Sequence, residues 1–473
     1  MIELRPYQAE AFAGPIREQL RSVRELLISA PTGAGKGVMI GWMAAGASAK
    51  GRRSIVTVPK IEMLRQSVET LGKFGIAAGI IAAGQIENPS LPVQVASVAT
   101  LTRPKRLERW AAWGPDLVVV DEAHHVLAHS WRTLTERLPY SRLIGFSATP
   151  RRLDRKSLRQ VFGGLVVVAT VRELIDGGWL SPVRVFTPPV IPDFSQTRRR
   201  AGDFDANAAA QVLTQAKFVG DVVEHYGRHR TAGGRALGYA ANVQHSQQLV
   251  AALQSVGFRA MHVDGETVEK VRIKAVADLA AGNLDILFNC LLFSEGLDLP
   301  ALDLLIIARP TLSVGLYLQM CGRALRPAPG KEFAQILDHC GNALRHGLPD
   351  WDRKWSLDEP PRKRKAGSAL VRRCPKCGLI VGLSAKACGS CQLQLRIDDP
   401  APLHAEGELV EADPEIVEKM QLRFMSWREQ DAWAGADYRR LKLVGEARDY
   451  RAGWAVYEYE RRRRPTEGNE IDL

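Results

Sequence analysis

A glycine-rich turn, Ala30-Pro31-Thr32-Gly33-Ala34-Gly35-Lys36, lies between the apolar run Leu26-Leu27-Ile28-Ser29 and the helix-like run Val38–Ala47. No other feature constrains this chain as strongly. A strand that feeds such a turn directly into a helix gathers backbone N–H groups and the positive end of the helix dipole around one point. That arrangement cradles phosphates, and Lys36 would reach the terminal ones. A serine or threonine normally follows the lysine, because its hydroxyl coordinates magnesium; here the residue is Gly37. Taken alone, the turn is also compatible with a glycine loop that holds no ligand.

Asp121-Glu122-Ala123-His124 supplies the second half of the pattern. It ends the apolar run Leu117-Val118-Val119-Val120, which reads as a buried parallel strand. Acidic side chains at the carboxyl end of such a strand lie beside a bound nucleotide. Asp121 would hold magnesium, directly or through water, and Glu122 would orient and deprotonate an attacking water. The alternative, a solvated strand-to-helix turn, loses weight once the phosphate loop precedes it. Together the two motifs point to nucleotide hydrolysis.

Length and charge limit the remainder. A chain of 473 residues exceeds one ordinary core, so two to four domains are expected. The apolar and charged fractions, 46% and 25%, are those of a globular protein and not of a disordered one. There is no apolar stretch long enough to span a bilayer and no signal-peptide pattern over Met1–Gln8, so the expectation is a cytoplasmic protein without a membrane partner. A net charge of +12 favours a polyanionic partner, although excess charge also serves solubility.

The seven cysteines fall into two groups. Cys290, Cys321 and Cys340 are isolated and read as small buried thiols. Cys374-Pro375-Lys376-Cys377 and Cys388-Gly389-Ser390-Cys391 are two CxxC knuckles separated by ten residues. Four thiolates so spaced can close a tetrahedral structural zinc site on a short ribbon. A disulfide framework is the minority alternative in a cytosolic setting.

Strand-like runs at Ser54–Pro59, Ile76–Ile81, Val93–Val98, Leu117–Val120 and Leu143–Ser147 alternate with helical or loop segments. The pattern repeats at Ala236–Tyr239, Ala260–Val263, Ile286–Asn289, Leu304–Ala308 and Ala334–Leu337. It predicts an α/β chain with two tandem RecA-like, doubly wound parallel-sheet domains, over residues 1–185 and 213–347. A connector is expected over 186–212, a basic linker over 348–370, the zinc ribbon over 371–395 and a helical basic region over 405–473.

In this order the motifs resemble a superfamily 2 helicase of the DEAH-box type over the first roughly 345 residues. Within that group the chain is similar to the bacterial RadD helicases, which add cysteine-rich zinc elements downstream of the motor. Leu4-Arg5-Pro6-Tyr7-Gln8 matches the adenine-recognising segment, with Arg5 and Gln8 at the base. Ser147-Ala148-Thr149-Pro150 matches the motif that couples hydrolysis to domain movement. Gly296 and Asp298 match motif V, and Gln319, Gly322, Arg323 and Arg326 match QxxGRxxR. The resemblance implies that Arg323 and Arg326 reach the terminal phosphate across a cleft as arginine fingers, with Gln319 in the coupling.

By the same resemblance, Pro59, Lys60, Arg65 and Gln66 correspond to motif Ia, Ser97 to motif Ib, and Asn242 and His245 to motif IV. These would grip nucleic-acid phosphates and sugars without reading sequence. The implied protein binds ATP, magnesium and zinc and moves along or opens DNA in repair or recombination, in a bacterial or phage setting, with single-strand-binding or repair proteins as candidate partners. Two alternatives stand beside it: an RNA helicase, since motor motifs do not name the sugar, and a nucleic-acid clamp with weak turnover, which Gly37 would favour.

Overall fold

The computed structural model describes residues 2–152, 154, 156–187, 192–214, 216–231, 233–294, 302–358, 371–373, 380–382 and 410–411, and most positions within 418–463. These residues divide into two compact units. The first comprises Met1–Arg184, Thr197–Leu337 and Pro349–Pro361; the second comprises Val185–Gln196, Asp338–Leu348 and Arg362–Leu473.

The first unit holds two parallel-sheet lobes. In the first lobe, β1 (Glu25–Ser29), β2 (Ser54–Val58), β3 (Ala78–Ile81), β4 (Val93–Ser97), β5 (Leu117–Val120), β6 (Arg142–Ser147) and β7 (Gly164–Val167) form one sheet in the order β3-β4-β2-β5-β6-β1-β7. Every neighbouring pair is parallel. β2, β4 and β5 are buried along their whole length, as expected of central strands covered on both faces. The order places β1, β5 and β6 side by side, so the turns that leave their carboxyl ends converge. Those turns carry the glycine loop, Asp121-Glu122 and Ser147-Ala148-Thr149. β7 was not anticipated from the sequence; it is short, adds to the edge beside β1, and has Val167 exposed.

β8 (Val183–Thr187) leaves this lobe. The stretch expected to be a connector carries short elements of its own. β9 (Arg199–Arg200) and β10 (Asp203–Phe204) form a small antiparallel hairpin, and a helix follows over Ala206–Leu213. Asp205 caps that helix by accepting from the N–H groups of Asn207 and Ala208. The hairpin is tied to the second lobe, because Asp203 accepts from the Thr311 hydroxyl at 2.7 Å and from the Leu312 N–H at 2.6 Å.

In the second lobe β11 (Ala236–Ala240), β12 (Ala260–Val263), β13 (Ile286–Asn289), β14 (Leu304–Ala308) and β15 (Ala334–Asp338) run in the order β12-β13-β11-β14-β15. β11 is parallel to β13 and β14, and β12 to β13. Gly238 in β11 is required by packing: a Cβ there would lie 2.2 Å from the Phe288 ring. The structure thus bears out the two tandem RecA-like sheets.

In the second unit, β16 (Val371–Arg373) and β17 (Ile380–Gly382) form an antiparallel hairpin, and β18 (Val410–Glu411) pairs antiparallel with Phe186 and Thr187. Helices Trp427–Ala434, Tyr438–Ala447 and Trp454–Arg463 pack around Leu441, Leu443 and Val444. The helical C-terminal region expected from the sequence is therefore present. Cys374, Cys377, Cys388 and Cys391 lie outside the described residues, as do Gly296 and Asp298. Among the described residues no helix is long and apolar enough to cross a membrane.

Candidate nucleotide site

The glycine loop leaves β1 and is fastened at once, as the Ala30 N–H donates to the Ser147 carbonyl at 3.0 Å. Gly33 and Gly35 take φ values of +90° and +74°, the left-handed region that a residue with a Cβ adopts only at a cost. Both are also crowded. A Cβ would meet Leu180 at Gly33, and the Gln8 carboxamide at Gly35 at 2.7 Å. The helix Lys36–Ser48 then opens from Gly35 with no side-chain cap and no acidic residue in its first turn. Its leading N–H groups thus keep their capacity for an anion.

Gln8 is buried beneath this loop. Its Nε2 donates to the Ala34 carbonyl at 2.8 Å and its Oε1 accepts from the Arg5 N–H, while the Tyr7 hydroxyl donates to the same Ala34 carbonyl at 2.9 Å. The carboxamide expected at a base edge is therefore a strut of the phosphate loop in this structure. Trp179 completes the cluster, with the Arg5 guanidinium 5.0 Å above its ring and Tyr7 at 5.9 Å. Nothing in the sequence marked Trp179, since it joins the site only through folding.

Glu122 follows β5 in a left-handed conformation, φ +50°, which is uncommon for a residue with a side chain. The side chain is 9% exposed and its Oε1 lies 3.9 Å from the Lys36 ammonium. Oε2 accepts no hydrogen bond among the described residues. A buried carboxylate oxygen with spare accepting capacity beside the phosphate loop suits an incoming water. Asp121 sits next to it, its Oδ1 accepting from the Glu122 N–H at 2.9 Å. Around Gly37 there is open space, as a Cβ there would meet nothing within 4 Å.

His124 had no role in the sequence reading, and the structure gives it one. Its Nδ1 lies 3.4 Å from Glu122 Oε2 and 3.2 Å from the Ser147 hydroxyl. Ser147 in turn donates to the Thr149 carbonyl and accepts from the Thr149 N–H. Arg152 donates to the His124 carbonyl at 2.6 Å. The acidic motif and Ser147-Ala148-Thr149 are thus joined by one polar chain. Its only sequence signal was the fourth position of the acidic motif.

The helix Val314–Ala324 brings the second lobe to the same place and carries Gln319 and Arg323, both largely buried. Two of its glycines allow the approach. A Cβ at Gly322 would lie 2.4 Å from the Thr32 Cβ, and one at Gly315 would lie 2.9 Å from the Thr149 hydroxyl. Pro31, Thr32, Ala148, Leu318 and Gly322 line one cleft. Arg326 follows directly after the helix, where its carbonyl accepts from Lys331 at 2.8 Å.

The expected nucleic-acid contacts divide. Pro59 and Lys60 are partly exposed and Gln66 is exposed after β2. Ser97 is mostly buried at the end of β4. Arg65 is exposed but pairs with Glu269 of the second lobe at 3.1 Å. Asn242 caps the helix Val243–Ser255 and donates to Asn207 at 2.9 Å. His245 corrects the sequence reading. It is fully buried, its Nδ1 accepts from the Ala241 N–H, and desolvation pulls its pKa down to about 4, so it is a core residue and not a backbone contact.

Comparison with known proteins agrees with this geometry. The family described as "Type III restriction enzyme, res subunit" matches residues 1–152, and "Helicase conserved C-terminal domain" matches residues 216–328. The chain belongs to the superfamily 2 helicases, ATP-dependent enzymes that act on nucleic acid. A 51.5 kDa protein of a Lactococcus phage is 30% identical over 89% of this chain and 88% of its own length. A Saccharomyces cerevisiae protein assigned by name as an ATP-dependent helicase, IRC3, is 29% identical over 72% of this chain, and this chain spans 51% of it. A fragment of an HsdR subunit of a type I restriction enzyme from Vibrio vulnificus shares the fold, with a TM-score of 0.57 at 22% identity over 74% of this chain and 66% of that one.

Glu122→Gln keeps the shape of the site and removes its base. It should reduce ATP turnover by about 100-fold or more while leaving nucleotide binding near parental, as read by a fluorescent nucleotide. His245 gives a pH signature. Its folded pKa of about 4 lies below the unfolded value, so the unfolded chain binds more protons between pH 6.5 and 4 and stability falls as pH drops through that window. His245→Gln should remove about 3 kcal/mol of that acid sensitivity, measured as the difference from the parent in denaturant midpoints.

Proposed function

We propose that this protein is an ATP-driven DNA translocase or helicase whose two lobes close on nucleotide between the glycine loop and the helix Val314–Ala324. The observation that carries this reading is the glycine-permitted approach of that helix to Thr32 and Thr149. It would put Arg323 and Arg326 within reach of a terminal phosphate held by Lys36 and the loop Pro31–Gly35, where they would stabilise transition-state charge. Glu122 would take the proton from the attacking water. His124, Ser147, Thr149 and Gln319 would transmit the state of that water to the lobe contact, so that loss of the terminal phosphate loosens the grip.

Magnesium fits the residues present. Asp121 supplies a hard oxygen donor at the end of β5, and the open space at Gly37 leaves room for a water where a hydroxyl would otherwise stand. Bound there, the ion would screen the phosphate charge. Gly296 and Asp298 remain proposed nucleotide-cleft residues on the strength of their motif.

DNA is favoured over RNA by the resemblance to the RadD group and by the lack of an aromatic ribonucleoprotein motif in the sequence, with repair or recombination as the setting and single-strand-binding or repair proteins as candidate partners. A similarity to a phage protein fits a bacterial or phage-borne gene and a cytoplasmic location. Pro59, Lys60, Arg65, Gln66, Ser97 and Asn242 would form the sequence-independent grip. The domain limits proposed are 1–185 and 213–347 for the two lobes. A zinc ribbon over 371–395 is supported by the spacing of Cys374, Cys377, Cys388 and Cys391 and by the β16–β17 hairpin, whose strands flank the first knuckle. Metal analysis of freshly purified protein should give one zinc per chain, lost in Cys388→Ser; a metal-free protein with four free thiols would contradict it.

Turnover should require magnesium and rise on adding single-stranded or forked DNA, more than on adding RNA. Turnover indifferent to any nucleic acid would exclude the motor. A Cβ at Gly37 meets nothing within 4 Å, and Gly37→Thr restores a magnesium-binding hydroxyl, so it should raise turnover or lower the magnesium requirement. Tight nucleotide binding with no turnover in parent and variant alike would favour a clamp.

A further inference from the structure

We propose that residues 349–358 form a strap that ties the helix Val314–Ala324 to the first lobe, with Trp351 and Trp355 as positioning residues for Arg323 and Arg326. This rests on the nucleotide-cleft reading above. The strap follows the second lobe in sequence but is fastened to the first at both of its ends. At the far end Leu357 is 3% exposed inside the first-lobe core, in the same cluster as Leu158 and Phe162. Its carbonyl accepts from the Ser157 hydroxyl at 2.8 Å and from the Arg159 N–H at 3.2 Å. Arg159 also grips both Asp358 oxygens, at 2.5 and 3.1 Å. At the near end the buried Asp350 forms an ion pair with Arg172 on the first-lobe helix Val171–Asp176.

Between these anchors the strap faces the nucleotide machinery. Trp351 and Trp355 line the same cleft as Thr32 of the phosphate loop, Ala148, and Gly322 and Leu325 of the second lobe. The Arg353 guanidinium donates to the Trp351 carbonyl at 2.8 Å and more weakly to Pro349, which stiffens the turn that presents the two indoles. Large rigid side chains lining that cleft would limit how far the helix can shift relative to Thr32. Burial of Leu357 provides most of the anchoring, because the Arg159–Asp358 pair is solvent-exposed and screened. The strap would therefore hold the arginine-bearing helix near the loop before nucleotide arrives and limit the reorganisation needed at closure.

The test uses the full chain, with DNA-stimulated turnover resolved into kcat and KM and amide hydrogen exchange followed over residues 314–324. Trp351→Ala/Trp355→Ala leaves both anchors in place. It should lower kcat on the order of tenfold, well short of the roughly 10³–10⁵-fold cost of a missing arginine finger because the guanidinium is only loosened, with little change in KM for ATP. It should also speed exchange in the helix. Asp358→Arg should do the same more mildly, and the reciprocal swap Arg159→Asp/Asp358→Arg should restore both readouts, a rescue that general destabilisation would not give. Parental kcat and parental exchange in the double tryptophan variant would overturn the strap. If the parent hydrolyses no ATP, the nucleotide reading fails by itself, and the exchange comparison still decides: unchanged protection over 314–324 overturns the strap, and faster exchange supports it.

Discussion

The Glu122 carboxylate is held in a place that nothing but its neighbours makes tolerable. It is buried, its backbone is left-handed, and its nearest cation, Lys36, stands at 3.9 Å, too far for a hydrogen bond. A buried carboxylate in that condition is poorly satisfied, and the surrounding sheet has to over-determine its position. β5 does so by lying between β2 and β6 with no exposed residue along it. Filling the cleft with phosphate, metal and water would give both charges better partners than they have in each other. Local strain and the capacity to bind are here two aspects of one arrangement.

Close backbone approach is the second organising device. Gly35 admits Gln8, Gly322 admits Thr32 and Gly315 admits Thr149. In each case a missing side chain lets one motif touch another directly, so that a movement of a few tenths of an ångström is felt on the other side. The polar chain from His124 through Ser147 to Thr149, with Glu122 Oε2 3.4 Å from the His124 ring, ends at one of these contacts. In the proposed function, hydrolysis chemistry and lobe contact would share a residue, as a motor that converts one into the other requires.

The surface expected to meet nucleic acid is less uniform than its motifs. Arg65 is already paired with Glu269 of the other lobe, a contact exposed enough for a phosphate to compete with. Asn242 is occupied in capping a helix and in bonding to Asn207. Side-chain chemistry suited to phosphates is present, but part of it holds the protein's own loops and lobes together.

Strand periodicity and motif order by themselves determined the two wound sheets and the strand ends at which the glycine loop and the acidic pair stand, because buried parallel strands are continuous apolar runs and sites in such sheets lie at their carboxyl ends. Local sequence could not determine whether a polar residue faces solvent or the core. His245 reads as a surface contact until β11 and its helix bury it, and the bond from Gln8 to the Ala34 carbonyl had no sequence signal. Nor did pattern reveal β7, the hairpin Arg199–Phe204, His124 as a bridge, or the return of Leu357 to the first-lobe core. Those depend on residues far apart in the chain meeting across a sheet edge or a lobe boundary, and only tertiary packing brings them together.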